Sequence, residues 1–277
     1  MKLYKTLNGI VIENDEKFFL LKDEDWDVFV NDDDLFPKML EIVTTKKPVI
    51  NADDILKNLE APVKSQELWA AGVTYFKSKE GRQEESKKTG GGDFYARVYE
   101  AERPELFFKA APHRIIGQGG KVRIRRDSVW NVPEPELTLM ITSSGKIAGY
   151  TIGNDMSSRS IEGDNPLYLP QAKTFDGCAA LGPCIYVTND RLPENTVINM
   201  EIKRNELIVF KGSVEINQMK RQLLELVSFL YRECTFPYGS LLMTGTGIVP
   251  ASDFTLQNKD EIRININPIG TLINTVE

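Results

Sequence analysis

The stretch "PEPELTLMITSSGKIAGYTIGNDMSSR", Pro133 to Arg159, decides the fold. Two runs of strand-forming residues, "ELTLMI" and "KIAGYTI", flank "TSSG", and a Ser-Gly pair suits a two-residue hairpin turn. With Ser144 and Gly145 in the turn, Ser143 lies opposite Lys146. Counting down both strands then brings Glu134 opposite Asp155. Opposed residues share a sheet face, and so do residues two apart on one strand. Glu134, Glu136 and Asp155 therefore converge. A turn longer or shorter by one residue would send Asp155 to the other face. Pro133 and Pro135 remove ladder donors, which suits an irregular or edge strand at the mouth of a site.

Three clustered carboxylates repel one another where water is scarce. At least one takes up a proton, or a divalent cation neutralises the group. Oxygen ligands without imidazole or thiolate favour a hard ion, Mg²⁺ first, with Mn²⁺ or Ca²⁺ as alternatives. The chain has one histidine, His113. A two-histidine zinc site is therefore excluded, and a Ser-His-Asp triad would have to run through His113.

The next segment, "NDMSSRSIEGDNPLYLPQAKTFDGCAALGP", is dense in polar groups. A helix or tight turn after Asp155 puts Arg159 near the carboxylates. Lys173 follows "PLYLP", which is not expected to be helical. An isolated lysine is usually a surface charge. Beside a carboxylate–metal centre it would instead bind an anionic substrate or act as a base.

Farther out, residues 1–62 read as a small N-terminal α/β domain. It has strands in "KTLNGIVIEN" and "EKFFLLKD", then a helix in "DDDLFPKMLEIVTT" capped by one of its aspartates. Residues 63–277 read as the main body, in which short apolar runs alternate with turn signals. One long helix is expected in "EINQMKRQLLELVSFLYREC", where Ile216, Met219, Leu223, Leu226, Val227 and Leu230 share a face. The charged segment "KSKEGRQEESKKTGGG", residues 77–92, reads as a solvated helix with a glycine joint, which is also the make-up of a mobile lid.

Composition narrows the partners. The 277 residues are 41% hydrophobic and 27% charged with a net charge of −6, so nucleic acid and anionic membrane are not expected partners. No apolar run approaches the roughly 18 residues of a membrane span, and the first residues lack a leader's apolar core, so the expected location is cytoplasmic. Cys178, Cys184 and Cys234 form no C-x-x-C pair and read as buried, reduced thiols.

The E-P-E, N-D-x-S-x-R and Q-x-K-T-F-D-G-C…L-G-P patterns, followed by "TGTGIVP", resemble the fumarylacetoacetate hydrolase superfamily over residues 63–277. The resemblance implies an α+β, β-rich fold, a mixed β-sandwich-like roll with a small N-terminal domain. It implies Glu134, Glu136 and Asp155 as metal ligands and Lys173 as an active-site lysine. "RPELFFKAAP", "DNPLYLPQAK" and "TGTGIVP" further resemble the branch of dehydratases that act on 2-keto-3-deoxy sugar acids in pentose breakdown. That branch implies an active-site Glu105, polar contributions from Thr74 and Tyr75, and substrate contact through Thr244 or Thr246.

By that resemblance the chain is expected to be a Mg²⁺-dependent hydro-lyase. Its substrate would be a 2-keto-3-deoxy acid of the arabinonate or xylonate type, and its product 2,5-dioxopentanoate. Lys173 would take the C3 proton and Glu105 would protonate the departing C4 hydroxyl, or the roles are reversed. Carbon–carbon hydrolases of the superfamily are similar in using a His-Glu dyad, and the lid candidate holds no histidine. An acylpyruvate hydrolase or oxaloacetate decarboxylase on the same fold is the alternative. A non-catalytic metal-binding or assembly protein is the alternative of another class. The expected partners are a small 2-keto acid and further copies of the chain, as a dimer or tetramer.

Overall fold

The protein, seen in a computed structural model, is described over residues 1–49, 56–85 and 92–277. It begins with three short strands, β1 (Lys2–Thr6), β2 (Gly9–Asn14) and β3 (Lys17–Leu21), then helices α1 (Trp26–Val30) and α2 (Leu35–Thr45). The expected boundary at residue 62 falls in the connection to β4 (Glu67–Gly72). Helices α3 (Phe76–Glu85) and α4 (Gly92–Glu100) lead to β5 (Glu105–Ala110), β6 (Ile115–Ile116) and β7 (Lys121–Val122). The hairpin is β8 (Asn131–Ile141) and β9 (Ile147–Ser158), followed by α5 (Arg159–Asp164) and α6 (Leu169–Lys173). Strands β10 (Ala179–Tyr186), β11 (Val197–Arg204) and β12 (Leu207–Glu215), helix α7 (Leu223–Leu230), and strands β13 (Ser240–Met243), β14 (Glu261–Ile266) and β15 (Gly270–Val276) complete the chain.

Two mixed sheets result. The larger runs β3-β2-β1-β10-β9-β8-β13-β4-β5, with β6 beside β10, and the smaller runs β12-β11-β14-β15-β7. Alternation along β8 and β9 explains how they stack. Leu137, Leu139 and Ile152 point into a core shared with Ile198, Met200, Ile264 and Leu272 of the smaller sheet. On the opposite face Met140 joins Leu68, Leu241 and Met243 beneath the core-facing side chains of α1 and α2. Every residue of β8 is buried, as a strand covered on both faces must be.

The prolines of β8 therefore do not mark an edge strand, as the sequence had suggested. Strand β13 pairs only with Thr138–Ile141. The carbonyl of Leu137 accepts the Thr244 amide on that side, so the nitrogens of Pro133 and Pro135 face the same way, beyond the end of β13. The missing donors fall where no strand needs them.

The hairpin register is the expected one by a different route. Thr142 N–H donates to the Lys146 carbonyl and Gly145, at φ +87°, donates to Thr142. This turn offsets the ladder, pairing Ile141 with Ile147. A bulge at Ala148 then restores it, so Met140 pairs with Gly149 and Glu134 with Asp155.

Three local expectations are corrected. The long helix over 215–234 is a 3-10 turn, Ile216–Gln218, followed by α7 alone. Met219 forms a bridge with Tyr75 and Lys220 N–H donates to the Thr74 carbonyl, so the chain is drawn away from helix there. The Gln222–Glu225 capping box then starts α7. Helix α2 has Asp34 at its N-cap without a side-chain bond, and Asp32 accepts the Asp34 amide instead. Cys178 and Cys184 are buried thiols, but Cys234 is exposed. Of the expected glycine joint, Gly90 and Gly91 lie outside the described residues and Gly92 begins α4.

Candidate active site

The β8–β9 ladder sets Glu134 against Asp155 and Glu136 against Gly153. All three carboxylates are buried, and one oxygen of each lies within 4.8 Å of the others. Burial lifts the pKa of Glu134, and lifts that of Glu136 well above its ordinary value with Asp155 and Glu134 adding repulsion. Burial alone would lift Asp155 too, but Lys109 and Lys173 outweigh it and hold that group low. Among the described residues Glu136 has one protein donor, the Gly245 amide at 2.5 Å. Three convergent oxygen donors, two of them forced toward protonation unless a cation arrives, fit a hard divalent ion such as Mg²⁺.

Lys173 ends α6, and its ammonium reaches Glu134 Oε2 at 2.8 Å, Asp155 Oδ2 at 2.9 Å and Ser157 Oγ at 2.6 Å. The segment leading to it is helical, contrary to expectation. Asn165 caps a 3-10 turn over Pro166–Tyr168, and α6 follows with Pro170 in its first turn, where a missing N–H costs nothing. Burial works to lower the Lys173 pKa, but the charges of Asp155 and Glu134 prevail and hold it above the ordinary lysine value.

Glu105 opens β5 opposite Gly72, and Oε2 is buried without a hydrogen-bond partner among the described residues. A Cβ at position 72 would lie 2.0 Å from that oxygen, so glycine makes the room. Burial raises the Glu105 pKa, with Arg82 opposing. Arg159 starts α5, capped by Ser158, and its Nη2 lies 3.3 Å from Glu134 Oε1. Burial lowers its pKa to about 10 against the pull of Glu162.

Sequence reasoning missed three buried charges. Lys109 is wholly buried and donates to Asp155 Oδ1 at 2.6 Å, to the Met156 carbonyl at 3.0 Å and to the Lys173 carbonyl. It is the extra residue of a bulge between β4 and β5, which turns it inward beside Ala110. Glu162 lies three residues after Arg159 on α5, the spacing of neighbours on one helix face, and that signal was available. Arg82 belongs to the helix read as solvated, yet it is buried, ion-paired with Glu162 and 5.6 Å from the centre of the Tyr95 ring.

A narrow pocket opens onto these groups, lined by Val73, Ser78, Arg82, Phe107, Arg159 and Thr246 among others, with Glu134, Glu136, Asp155 and Lys173 at its floor. Val73 holds φ +54°, a conformation that β-branched residues rarely adopt. Thr74 and Thr244 stand behind this wall. The Thr74 hydroxyl donates to the Thr244 carbonyl and the Thr244 hydroxyl to the Leu137 carbonyl, at 2.8 and 2.9 Å. Tyr75 is packed in the core, and burial keeps its phenol protonated well past the ordinary range.

Fold and site together define a class: a two-sheet roll with three convergent carboxylates, able to hold a cation, on its central hairpin. Residues 78–277 match the family model described as fumarylacetoacetate (FAA) hydrolase C-terminal, and the chain belongs to that family. It is 43% identical over 235 residues to a Haloferax volcanii protein named "Probable 2-keto-3-deoxyxylonate dehydratase", covering 84% of this chain and 80% of that one. It is 44% identical over 219 residues to the 2-dehydro-3-deoxy-D-arabinonate dehydratase of Saccharolobus solfataricus, covering 78% and 73%. A solved structure of 2-keto-3-deoxy-D-arabinonate dehydratase with magnesium and 2,5-dioxopentanoate is similar with TM-score 0.83 and 35% identity, over 100% of this chain and 99% of that one.

Proposed function

We propose that this protein is a magnesium-dependent dehydratase of a 2-keto-3-deoxy sugar acid of the arabinonate or xylonate type, giving 2,5-dioxopentanoate. The observation that carries the reading is the buried Glu134–Glu136–Asp155 cluster with Lys173 bonded to two of its carboxylates and the Glu105 carboxyl within the field of that group. The relatives' activity supports it.

A cation held by the three carboxylates would polarise the 2-keto group and acidify C3. With Glu134 and Asp155 engaged as ligands, the charges that raise the Lys173 pKa would be offset, leaving the burial that works to lower it. Lys173 takes a proton from C3. Glu105, kept neutral by burial, gives a proton to the C4 hydroxyl, which leaves as water. The unsaturated product tautomerises to the dioxo acid. Arg159, relieved of Glu134, and Thr246 face the substrate from the pocket wall. No helix among the described residues is long and apolar enough to cross a membrane. We take the working form to be a homo-oligomer. Leu207, Ile208 and Val209, exposed on the outermost strand β12 of the smaller sheet, support that reading.

Mass spectrometry of products from a panel of 2-keto-3-deoxy acids with Mg²⁺ tests the reaction. The five-carbon acids should each lose one water. Carbon–carbon cleavage of acylpyruvates or oxaloacetate in its place would overturn the proposal.

A further inference from the structure

The charges packed about the pocket carry a consequence for which acids it accepts. Among the described residues, five carboxylates, Glu105, Glu134, Glu136, Asp155 and Glu162, face four cations, Arg82, Lys109, Arg159 and Lys173. Ionised, they leave one negative charge. A divalent cation turns this into one positive charge, and a single carboxylate on the ligand cancels it. The count is the same if a proton sits on Glu105 in place of Lys173, the arrangement from which elimination starts. A ligand with a second carboxylate leaves the buried site with one unmatched negative charge, and an uncompensated charge away from water is costly.

Glu162 sets this count. It does not line the pocket, coordinates nothing in the cluster and has no part in proton transfer. It is buried against Arg82, one of the two arginines in the pocket wall, and its charge bears on the other, Arg159. Its field also reaches Glu105, Glu134 and Lys173. Arg82 is thereby matched by a resident carboxylate, Glu162, that is no part of the cation cluster. We infer that Glu162 is the residue that makes the site select 2-keto acids with one carboxylate and reject dicarboxylic ones, by occupying Arg82. This inference rests on the 2-keto acid reading above and adds a discriminating residue to it.

The test compares two five-carbon ligands, 2-oxopentanoate and 2-oxoglutarate, by calorimetry on the whole protein with saturating Mg²⁺. The wild type should bind the monoanion more tightly, by about tenfold or more, the scale of one unmatched buried charge. In Glu162→Gln the ratio should move toward 2-oxoglutarate by a similar factor. Removing both charges, in Arg82→Gln with Glu162→Gln, restores the count and should restore the preference for the monoanion, which loss of packing alone would not do. Equal binding of both ligands by the wild type, or an unmoved ratio in Glu162→Gln, overturns the inference. Where Glu162→Gln does not fold, the wild-type ratio and the double variant decide it. Dehydration by the wild type is assayed in parallel, so that failure of the reaction itself is seen separately from failure of the selectivity.

Discussion

Glu105 shows how one side chain is prepared for the proton transfer proposed for it. Its carboxyl is held above the ordinary range first by burial, and it has space only because residue 72 lacks a Cβ. The unfolded chain gives up this proton near the ordinary glutamate value of about 4.3, whereas the folded chain keeps it longer. Stability from the neutral acid is therefore full below the unfolded pKa and is lost as pH rises through the folded one. Glutamine cannot titrate. Urea unfolding at pH 5 and pH 8 should show Glu105→Gln gaining stability relative to wild type at the higher pH. A difference independent of pH would mean that Glu105 ionises freely. Lys109 is a different case, a charge whose bonds fix Asp155 and the backbone of Lys173.

The hairpin and the loop after β13 do at the element scale what the ligands need. Gly245, at φ +94°, presents its amide to Glu136, and a Cβ there would lie 2.0 Å from Thr74 Oγ1. Gly245→Ala should cost about 1–3 kcal/mol of stability. By turning that amide away it should also weaken Mg²⁺ binding about tenfold or more, read by calorimetry. The convergence of Glu134, Glu136 and Asp155 was legible in the sequence because strand alternation has a period of two and the count from the turn was short. The turn itself was not. Its offset and the compensating bulge at Ala148 cancel, and nothing in "TSSGKIAG" announces a bulge. The long helix failed because apolar spacing over Ile216 and Met219 is equally met by a 3-10 turn and a bridge to Tyr75. Arg82 was hidden for a related reason. Charge density marks a helix as solvated on average, and one buried arginine facing Glu162 is not visible in that average.

At the scale of the whole molecule, the cation and the fold share one free energy. An ion that binds only the folded chain stabilises it by about 2.7 kcal/mol at one hundred times its Kd. Mg²⁺ should therefore raise the melting temperature of wild type, and Glu136→Gln should lose most of that rise; an equal rise in both would remove Glu136 from the ligand set. The central claim is that this buried cluster activates C3 while Lys173 and Glu105 divide the proton transfers, each worth about 10² to 10⁴ in rate. The most direct measurement is NMR of a 2-keto-3-deoxy pentonate in deuterated water with Mg²⁺. Glu105→Gln should exchange the C3 hydrogens with solvent while eliminating slowly, and Lys173→Ala should do neither. Full elimination in both variants, or exchange that survives in Lys173→Ala but not in Glu105→Gln, would contradict the account.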